Sequence, residues 1–350
     1  MDPGVTAALA IGLTQYLVVL WPAGAGRERA LAIGLIWILA LADMAGLRLS
    51  ASALNLLTAA KVLALAGVVV FAFAAGAGSW SHYVPFAARR GATPPLGEAL
   101  GLGLIGAFYS FGGFWEVSRV AGEIRDPRRN LPRAMALGSA AVTALYVLTT
   151  AAFLYLVAPE QSASAPEFAR RAGEALLGPS GPAAFAAVVV LSVVASAMAL
   201  MLMAPRVYLA MSRDGLFPAG LAAVHPRTGA PARATALLAA LASTLVLSGT
   251  FAQILAFFMC TTLAFIALAA AGLFVLRKRD GAAGDLGAPG GAAAPALFVL
   301  LLLAVMAFIV RARPLAALGG VAVVLAGLPT YRILSSRGAL APQRARGDAR

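Results

Sequence analysis

The sequence predicts an all-helical integral membrane protein. Hydrophobic residues fill 61% of the 350 positions and charged residues only 12%, whereas soluble domains carry roughly 25% charged residues. The mean hydropathy of +0.88 comes from long apolar runs, and a helix needs about 20 such residues to cross a bilayer. We therefore expect about ten transmembrane helices, in the segments 5–21, 30–47, 54–76, 100–120, 134–157, 182–210, 234–247, 251–276, 296–310 and 315–331.

The basic residues predict how these helices are oriented. The chain has a formal net charge of +13, and basic residues of membrane proteins gather in cytoplasmic loops. If the N terminus is cytoplasmic and the helices alternate, 18 basic residues fall in inner loops and 8 in outer loops. We therefore expect a multi-pass protein of the inner or plasma membrane with both termini in the cytoplasm. Its basic residues do not interleave with aromatic residues in a patch, so no nucleic-acid partner is expected.

The sequence contains no pattern typical of an enzyme or a metal site. The single cysteine, Cys260, excludes an intramolecular disulfide, and the two histidines lie in predicted loops. Glu116 and Glu123 are seven residues apart, a spacing that does not make a tight carboxylate pair. We therefore predict no catalytic residue, no metal and no cofactor.

A pair of adjacent glycines interrupts the fourth apolar segment. Gly112 and Gly113 stand in its middle, and glycine is a poor helix former that marks kinks or unwinding. Broken helices hold the substrate in many secondary transporters. A second interpretation is close packing against another helix, a common use of small residues in membranes. Aromatic residues flank the pair and would form an apolar pocket or lid: Tyr109, Phe111, Phe114 and Trp115.

An unwound helix offers the two kinds of group that a zwitterion needs. The N-terminal end of a half-helix attracts a carboxylate through its dipole and its free N–H groups. Free backbone carbonyls suit an ammonium group. The glycine pair therefore predicts a site for an amino acid.

A lysine and two serines form a second candidate group. Lys61 lies inside the third apolar segment, where a charge costs about 2.5–3.5 kcal/mol on insertion scales and normally faces the bundle interior. It would act as a fixed or titrating positive charge; the alternative is that it extends to the cytoplasmic headgroups. Ser192 and Ser196 share one face of the sixth segment, where they would line an ion or substrate site or bond back to their own helix.

The loop 122–135 carries the signals for the start of the next helix. Pro127 is unsuited to a helix interior, and Asn130 is the predicted N-cap. Most of the loop's basic content is an orientation signal. A gating role for Glu123 or Asp126 is an alternative.

Four stretches resemble the amino acid–polyamine–organocation superfamily of transporters, and together they span essentially the whole chain. The likeness is closest to bacterial permeases related to the L-type and serine/threonine exchangers. The stretches are FYSFGGFWEVSRVAGEIRDPRRNLPRAM, similar to the sixth helix and the loop after it; APRVYLAMSRDGLFP with VHPRTGAP, similar to the eighth helix and its following loop; DMAGLRLSASALNLLTAAKVLAL, similar to the fourth-to-fifth helix stretch; and AGLPTY, similar to the end of the twelfth helix.

The resemblance implies a leucine-transporter-type fold, an inverted pair of five-helix repeats followed by two extra helices. The ten segments then correspond to helices three to twelve, so the first two helices are expected to be absent and the chain to begin partway through a helix. The expected organisation is a single transmembrane domain, 1–350: a remnant of the first repeat at 5–76, the second repeat at 98–276, two extra helices at 295–333 and a cytoplasmic tail at 334–350.

The resemblance also assigns roles to individual residues. Tyr109 falls at the gating aromatic position, and Ser110, Phe111, Gly112 and Gly113 fall in the unwound segment that meets the substrate backbone. Trp115 falls at a position that selects the substrate side chain. Lys61 falls at the fifth-helix lysine that stands in for a sodium ion, with Ser192 and Ser196 near the same site.

The function implied is secondary active transport of an amino acid across the lipid bilayer. It would proceed by alternating access, with exchange or proton coupling. The alternative is a truncated, transport-incompetent remnant of such a permease. The sequence leaves the amino acid and the oligomeric state open.

Overall fold

The computed structural model describes residues 2–46, 51–84, 95–114, 124–158, 165–249, 251–280, 291–312 and 314–336. Within these ranges the regular elements are α-helices and short 3-10 turns, and none is a β-strand. The all-helical class predicted from composition is therefore confirmed. The α-helices are α1 (Asp2–Leu20), α2 (Glu28–Met44), α3 (Ala51–Ala74), α4 (Leu96–Ser110), α5 (Pro127–Leu156), α6 (Ala165–Leu177), α7 (Gly181–Arg213), α8 (Ala232–Ser248), α9 (Phe251–Asp280), α10 (Ala293–Ala312) and α11 (Pro314–Ser336).

Fewer helices than predicted meet the length and composition needed for a membrane span. In the described part of the chain there are six, against ten apolar segments. Helices α2 and α8 have 17 residues each, about 26 Å at 1.5 Å per residue, which falls short of a core about 30 Å thick. Helix α4 is shorter still because it ends before the glycine pair. The six stretches are Asp2–Leu20, Asn55–Ala74, Arg129–Leu156, Arg170–Arg213, Met259–Leu276 and Ala293–Arg311.

Helix α6 lies where the sequence indicated only an outer loop. It is amphipathic: Arg170 and Glu174, one turn apart, form an exposed ion pair at 2.9 Å, and Ala172 is fully buried. The helix packs on α7 and α5. The sequence analysis missed it because four of its 13 residues are charged, so it contains no long apolar run.

The start of α5 also differs from the prediction. The helix begins at Pro127, and Asp126 with φ = 50° is the N-cap residue. Asn130 is therefore not the N-cap: it lies in the first turn, and its Nδ2 donates to the Arg125 carbonyl at 2.7 Å. Pro127 fits because the first helical position needs no N–H and accepts the fixed φ of proline.

The first core surrounds α1, which packs against α2, α7, α8 and α9. It is rich in alanine, and small residues let membrane helices approach closely. This core brings α7 to a fixed position beside α1 and α8. Its buried residues are Ala7, Ala8, Ala10, Ala32, Ile36, Leu39, Ala40, Ala197, Met201, Ala204, Leu238, Ala239, Ala242, Val246 and Ile254.

Two further cores form around the other helices. The second core joins α9 to α10, with α4 packed against it through Phe108 and Tyr109; its buried residues are Met259, Cys260, Leu263, Ala267, Leu302, Val305 and Ile309. The third core joins α3, α5 and α6; its buried residues are Val69, Ala72, Ala152, Tyr155, Leu156, Val157 and Ala172. The two candidate groups therefore lie on helices packed around different cores.

Polar contacts hold the helix ends. The Tyr83 hydroxyl donates to the Ala151 carbonyl at 2.6 Å, and His82 Nδ1 lies 2.9 Å from the Tyr155 carbonyl oxygen. His82 thereby contacts the last turn of α5, where the carbonyls lack N–H donors within the helix. Tyr83 binds a carbonyl in the turn before it. Between α2 and α8, the Thr235 hydroxyl donates to Asp43 Oδ2 at 2.9 Å, and both residues are buried.

Candidate functional site

Helix α4 ends where the glycine pair predicts an interruption. Its last residue is Ser110, and the chain turns at Phe111, Gly112 and Gly113. The turn is closed by two backbone bonds, from the Phe111 N–H to the Ala107 carbonyl and from the Gly112 N–H to the Tyr109 carbonyl, each 3.0 Å. Gly113 has φ = 102°, a conformation that side-chain-bearing L residues rarely adopt. The predicted site residue Trp115 lies outside the described residues.

The position of α4 is set by its packing on α10. A β-carbon at Gly101 would stand 2.5 Å from the Phe308 ring, so α4 approaches α10 closely there. Beyond the helix end, Phe114 makes an edge-to-face contact with Phe298 of α10, with ring centroids 6.4 Å apart. The half-buried Tyr109 packs against the second core from the same side. These contacts hold the interruption at a defined place.

A cavity of about 300 Å³ opens on the other side of the interruption, between α4 and α5. The Tyr146 hydroxyl of α5 donates to the Ser110 carbonyl at 2.9 Å, and the Tyr146 ring meets Phe111 edge to face at 5.3 Å. The Ser110 hydroxyl bonds back to the Gly106 carbonyl at 2.9 Å. The cavity is lined by Ser110, Phe111, Gly112, Phe114, Ala134, Met135, Gly138, Ser139, Val142 and Tyr146.

Sequence reasoning missed the α5 side of this cavity. Gly138, Val142 and Tyr146 follow one another at intervals of four residues and so share one face of α5. The spacing was visible in the sequence, but it is shared by many apolar helices. Only the fold shows that this face lies against the helix interruption.

Lys61 and Ser196 meet directly, although 135 residues separate them along the chain. Lys61 Nζ donates to Ser196 Oγ at 2.8 Å, and Lys61 is half-buried. The sequence left open whether Lys61 faces the bundle or extends to the headgroups. In the structure Lys61 is bonded to α7, and the Ser196 hydroxyl accepts its hydrogen bond. Ser192 lies one turn earlier and lines the same cavity of about 220 Å³ between α3, α6 and α7.

The two candidate groups occupy separate cavities. The cavity at the interruption and the cavity at Lys61 have no lining residue in common. In the described residues, the first is bounded by α4 and α5 and the second by α3, α6 and α7. Ser110, Phe111 and Gly112 therefore line the first cavity, and Lys61 and Ser192 line the second. Ser196 joins the second group through its bond to Lys61. Tyr109 and Gly113 line neither cavity, and Tyr109 packs against the second core.

The chemistry of the two groups differs. The turn after α4 presents backbone carbonyls and hydroxyls at the C-terminal end of a helix, where the dipole favours a cation. The Lys61 group offers the only charged side chain that lines either cavity among the described residues. One group suits an ammonium group and the other an anion or a fixed countercharge.

Comparison with known proteins identifies relatives across most of the chain. Residues 3–327 match the profile of a family described as amino acid permease. The chain is 31% identical over 280 residues to an uncharacterized transporter of Mycobacterium tuberculosis, covering 79% of this chain and 60% of the relative. It is 29% identical over 225 residues to the cystine/glutamate transporter of Homo sapiens, covering 64% of this chain and 44% of the relative.

A bacterial exchanger extends the comparison. The chain is 24% identical over 282 residues to the serine/threonine exchanger of Bacillus subtilis, covering 79% of this chain and 62% of the relative. The matches therefore span between 44% and 62% of the length of these three relatives. The described residues are all-helical outside the turns and include six apolar helices of membrane-spanning length, and the chain is a multi-pass membrane protein that belongs to the amino acid permease family.

Proposed function

We propose that this chain transports an amino acid across a membrane by alternating access, as a secondary transporter and not as an enzyme. The observation that carries the proposal is the end of α4 at Ser110 with Gly113 at φ = 102°, beside a cavity of about 300 Å³. Irregular backbone at membrane depth is tolerated where it lines a cavity. The printed functions of the human and Bacillus relatives, cystine/glutamate transport and serine/threonine exchange, support the same class of substrate.

The binding site in this proposal is the turn after α4. Ser110, Phe111 and Gly112 border the cavity and would meet the substrate backbone, and Tyr109 and Gly113 adjoin them on either side of the turn. Trp115 is assigned to the substrate side chain by the resemblance alone. The carbonyls at the end of α4 attract the ammonium group, because the C-terminal end of a helix carries a partial negative charge. The aromatic side chains cover the apolar part of the substrate.

Lys61 supplies the coupling charge. Its ammonium group, held by Ser196 and with Ser192 beside it, would act as a permanent or exchangeable cation between α3 and α7. A permanent cation accounts for exchange without an added ion, and an exchangeable proton accounts for proton coupling. Transport measured with and without a pH gradient separates the two.

The expected setting is the inner or plasma membrane with both termini in the cytoplasm. The excess of basic residues in the loops on the side of the N terminus supports this orientation. The proposed organisation is one transmembrane domain with repeat segments at 5–76 and 98–276, followed by extra helices at 295–333 and a tail at 334–350.

The test is counterflow in liposomes that contain the purified chain and an unlabelled mixture of amino acids. We expect uptake of labelled amino acid above that of empty liposomes, and loss of most of it in Tyr109→Ala. Phe108→Ala is the matched control, since Phe108 and Tyr109 both pack against the second core. An equal loss in both variants would assign Tyr109 to packing alone, and no uptake by the wild-type chain would contradict the proposed transport.

A further inference from the structure

The cavity at the helix interruption has two walls, and only one of them belongs to the proposed backbone-binding turn. The other is a face of α5 that contains Gly138, Ser139, Val142 and Tyr146. This face contacts the turn through a hydrogen bond and a ring contact, both made by Tyr146. Tyr146 therefore joins this face of α5 to the turn.

Room for a side chain exists at Gly138. A β-carbon built on Gly138 has no atom within 4 Å, although Gly138 lines the cavity. In a helix interior glycine costs about 0.8–1.0 kcal/mol relative to alanine. Gly138 is therefore not required for close helix packing, and its missing side chain leaves space in the cavity for the side chain of a bound amino acid.

The lining also restricts the chemistry of an occupant. Met135, Val142 and Phe114 are apolar, Ser110 and Ser139 carry hydroxyls, and none of the described lining residues is charged. A charged side chain placed there would find no group of opposite charge among these lining residues. An apolar or hydroxyl-bearing side chain needs no such partner.

We propose that the α5 face is the side-chain pocket of the amino acid site, that Gly138 sets the largest side chain it admits, and that the pocket selects neutral amino acids. The proposal rests on the proposed function because it takes the turn after α4 as the site of the substrate backbone. Tyr146 is a positioning residue in this arrangement. It holds the pocket against the turn by donating to the Ser110 carbonyl.

The experiment measures equilibrium binding of tritiated alanine and tritiated leucine to the purified chain, with competition by glycine, alanine, serine, leucine, phenylalanine, lysine and glutamate. Binding needs no translocation, so it separates this proposal from the proposed transport. For the wild-type chain we expect neutral amino acids, including leucine or phenylalanine, to compete. Lysine and glutamate should compete at least ~10-fold more weakly.

Substitution at Gly138 should change the order of competitors by size. Gly138→Leu should weaken binding of leucine and phenylalanine at least ~10-fold and leave glycine, alanine and serine nearly unchanged, because a single methylene in a pocket alters discrimination about 10-fold or more. Gly138→Ala is the milder variant if Gly138→Leu does not fold. The matched control is Gly103→Leu, since Gly103 also lies in open space but on α4 and outside the cavity.

Tyr146→Phe should give a different result, since it removes the hydrogen bond and keeps the ring. We expect all neutral competitors to weaken by a similar factor, about 2- to 12-fold for one hydrogen bond, with their order by size unchanged. A uniform effect or no effect of Gly138→Leu would overturn the pocket. A wild-type chain that binds only glycine, only charged amino acids, or none of the amino acids tested would also overturn it. Binding without counterflow would contradict the proposed transport but not the proposed pocket.

Discussion

Replacing Gly113 with alanine tests the helix interruption on which the proposed function depends. Gly113 has φ = 102°, and a β-carbon there meets no atom within 4 Å. The methyl group of alanine would therefore destabilise the turn through its backbone conformation and not through a steric clash. Placing a side-chain-bearing residue in the left-handed region costs about 1–2 kcal/mol. If the strain is relieved by shifting the turn, transport falls by about 5- to 30-fold, since 1.36 kcal/mol corresponds to a factor of ten.

Gly103→Ala provides a control of the same chemistry. Gly103 lies within α4, likewise has no atom within 4 Å of a built β-carbon, and has an ordinary helical φ. Alanine is favoured there by about 0.8–1.0 kcal/mol, so the two variants should differ by about 2–3 kcal/mol. Counterflow rate and thermal stability in detergent are measured for both. The reasoning is refuted if Gly113→Ala retains wild-type rate and stability, or if Gly103→Ala loses as much as Gly113→Ala.

Two further substitutions test individual hydrogen bonds. Ser196→Ala removes the hydrogen-bond acceptor of Lys61. It should slow counterflow about 10-fold, the effect of losing one charge-assisted bond of about 1.5 kcal/mol. Ser192→Ala, in the same cavity, should have a smaller effect, and equal effects would contradict a specific role for Ser196. Thr235→Val removes a bond to the buried Asp43 and should lower the melting temperature, because losing one partner of a buried polar group costs about 1–3 kcal/mol. Thr235→Ser keeps the hydroxyl and should restore most of the stability; the idea fails if serine and valine behave alike.

The class of fold was predictable because it depends on composition and on the length of apolar runs. The end of α4 before Gly112 and Gly113 was predictable, since backbone conformation is a local property and glycine is a poor helix former. Whether a second half-helix follows lies outside the described residues. The N-cap of α5 was predicted wrongly at Asn130. The N-cap found in the structure, Asp126, lies four residues earlier, and its positive φ has no distinctive signature in the sequence.

Contacts between helices that are distant in sequence were harder to predict than local backbone features. The interior position of Lys61 followed from the cost of a charge in the membrane, but its partner among the polar residues of other helices depends on how α3 and α7 cross. Ser196 was a candidate because it shares a helix face with Ser192, and the resemblance put both serines near Lys61. The fold brings Ser196 Oγ to 2.8 Å from Lys61 Nζ. Tyr146 and Gly138 carry no local signal, so their place beside the helix interruption is visible only in three dimensions.

The bond between Lys61 and Ser196 joins helices that pack around different cores. Helix α3 belongs to the third core and α7 to the first. If the helices of one core move relative to those of the other, either the bond between Lys61 and Ser196 lengthens or α3 and α7 move together. A charge-assisted bond of about 1.5–3 kcal/mol is similar in size to the coupling free energies of allosteric proteins, about 1–3 kcal/mol. An ion or proton that weakens the bond makes the displacement more favourable. By thermodynamic reciprocity, the displacement strengthens binding of that ion or proton by the same free energy.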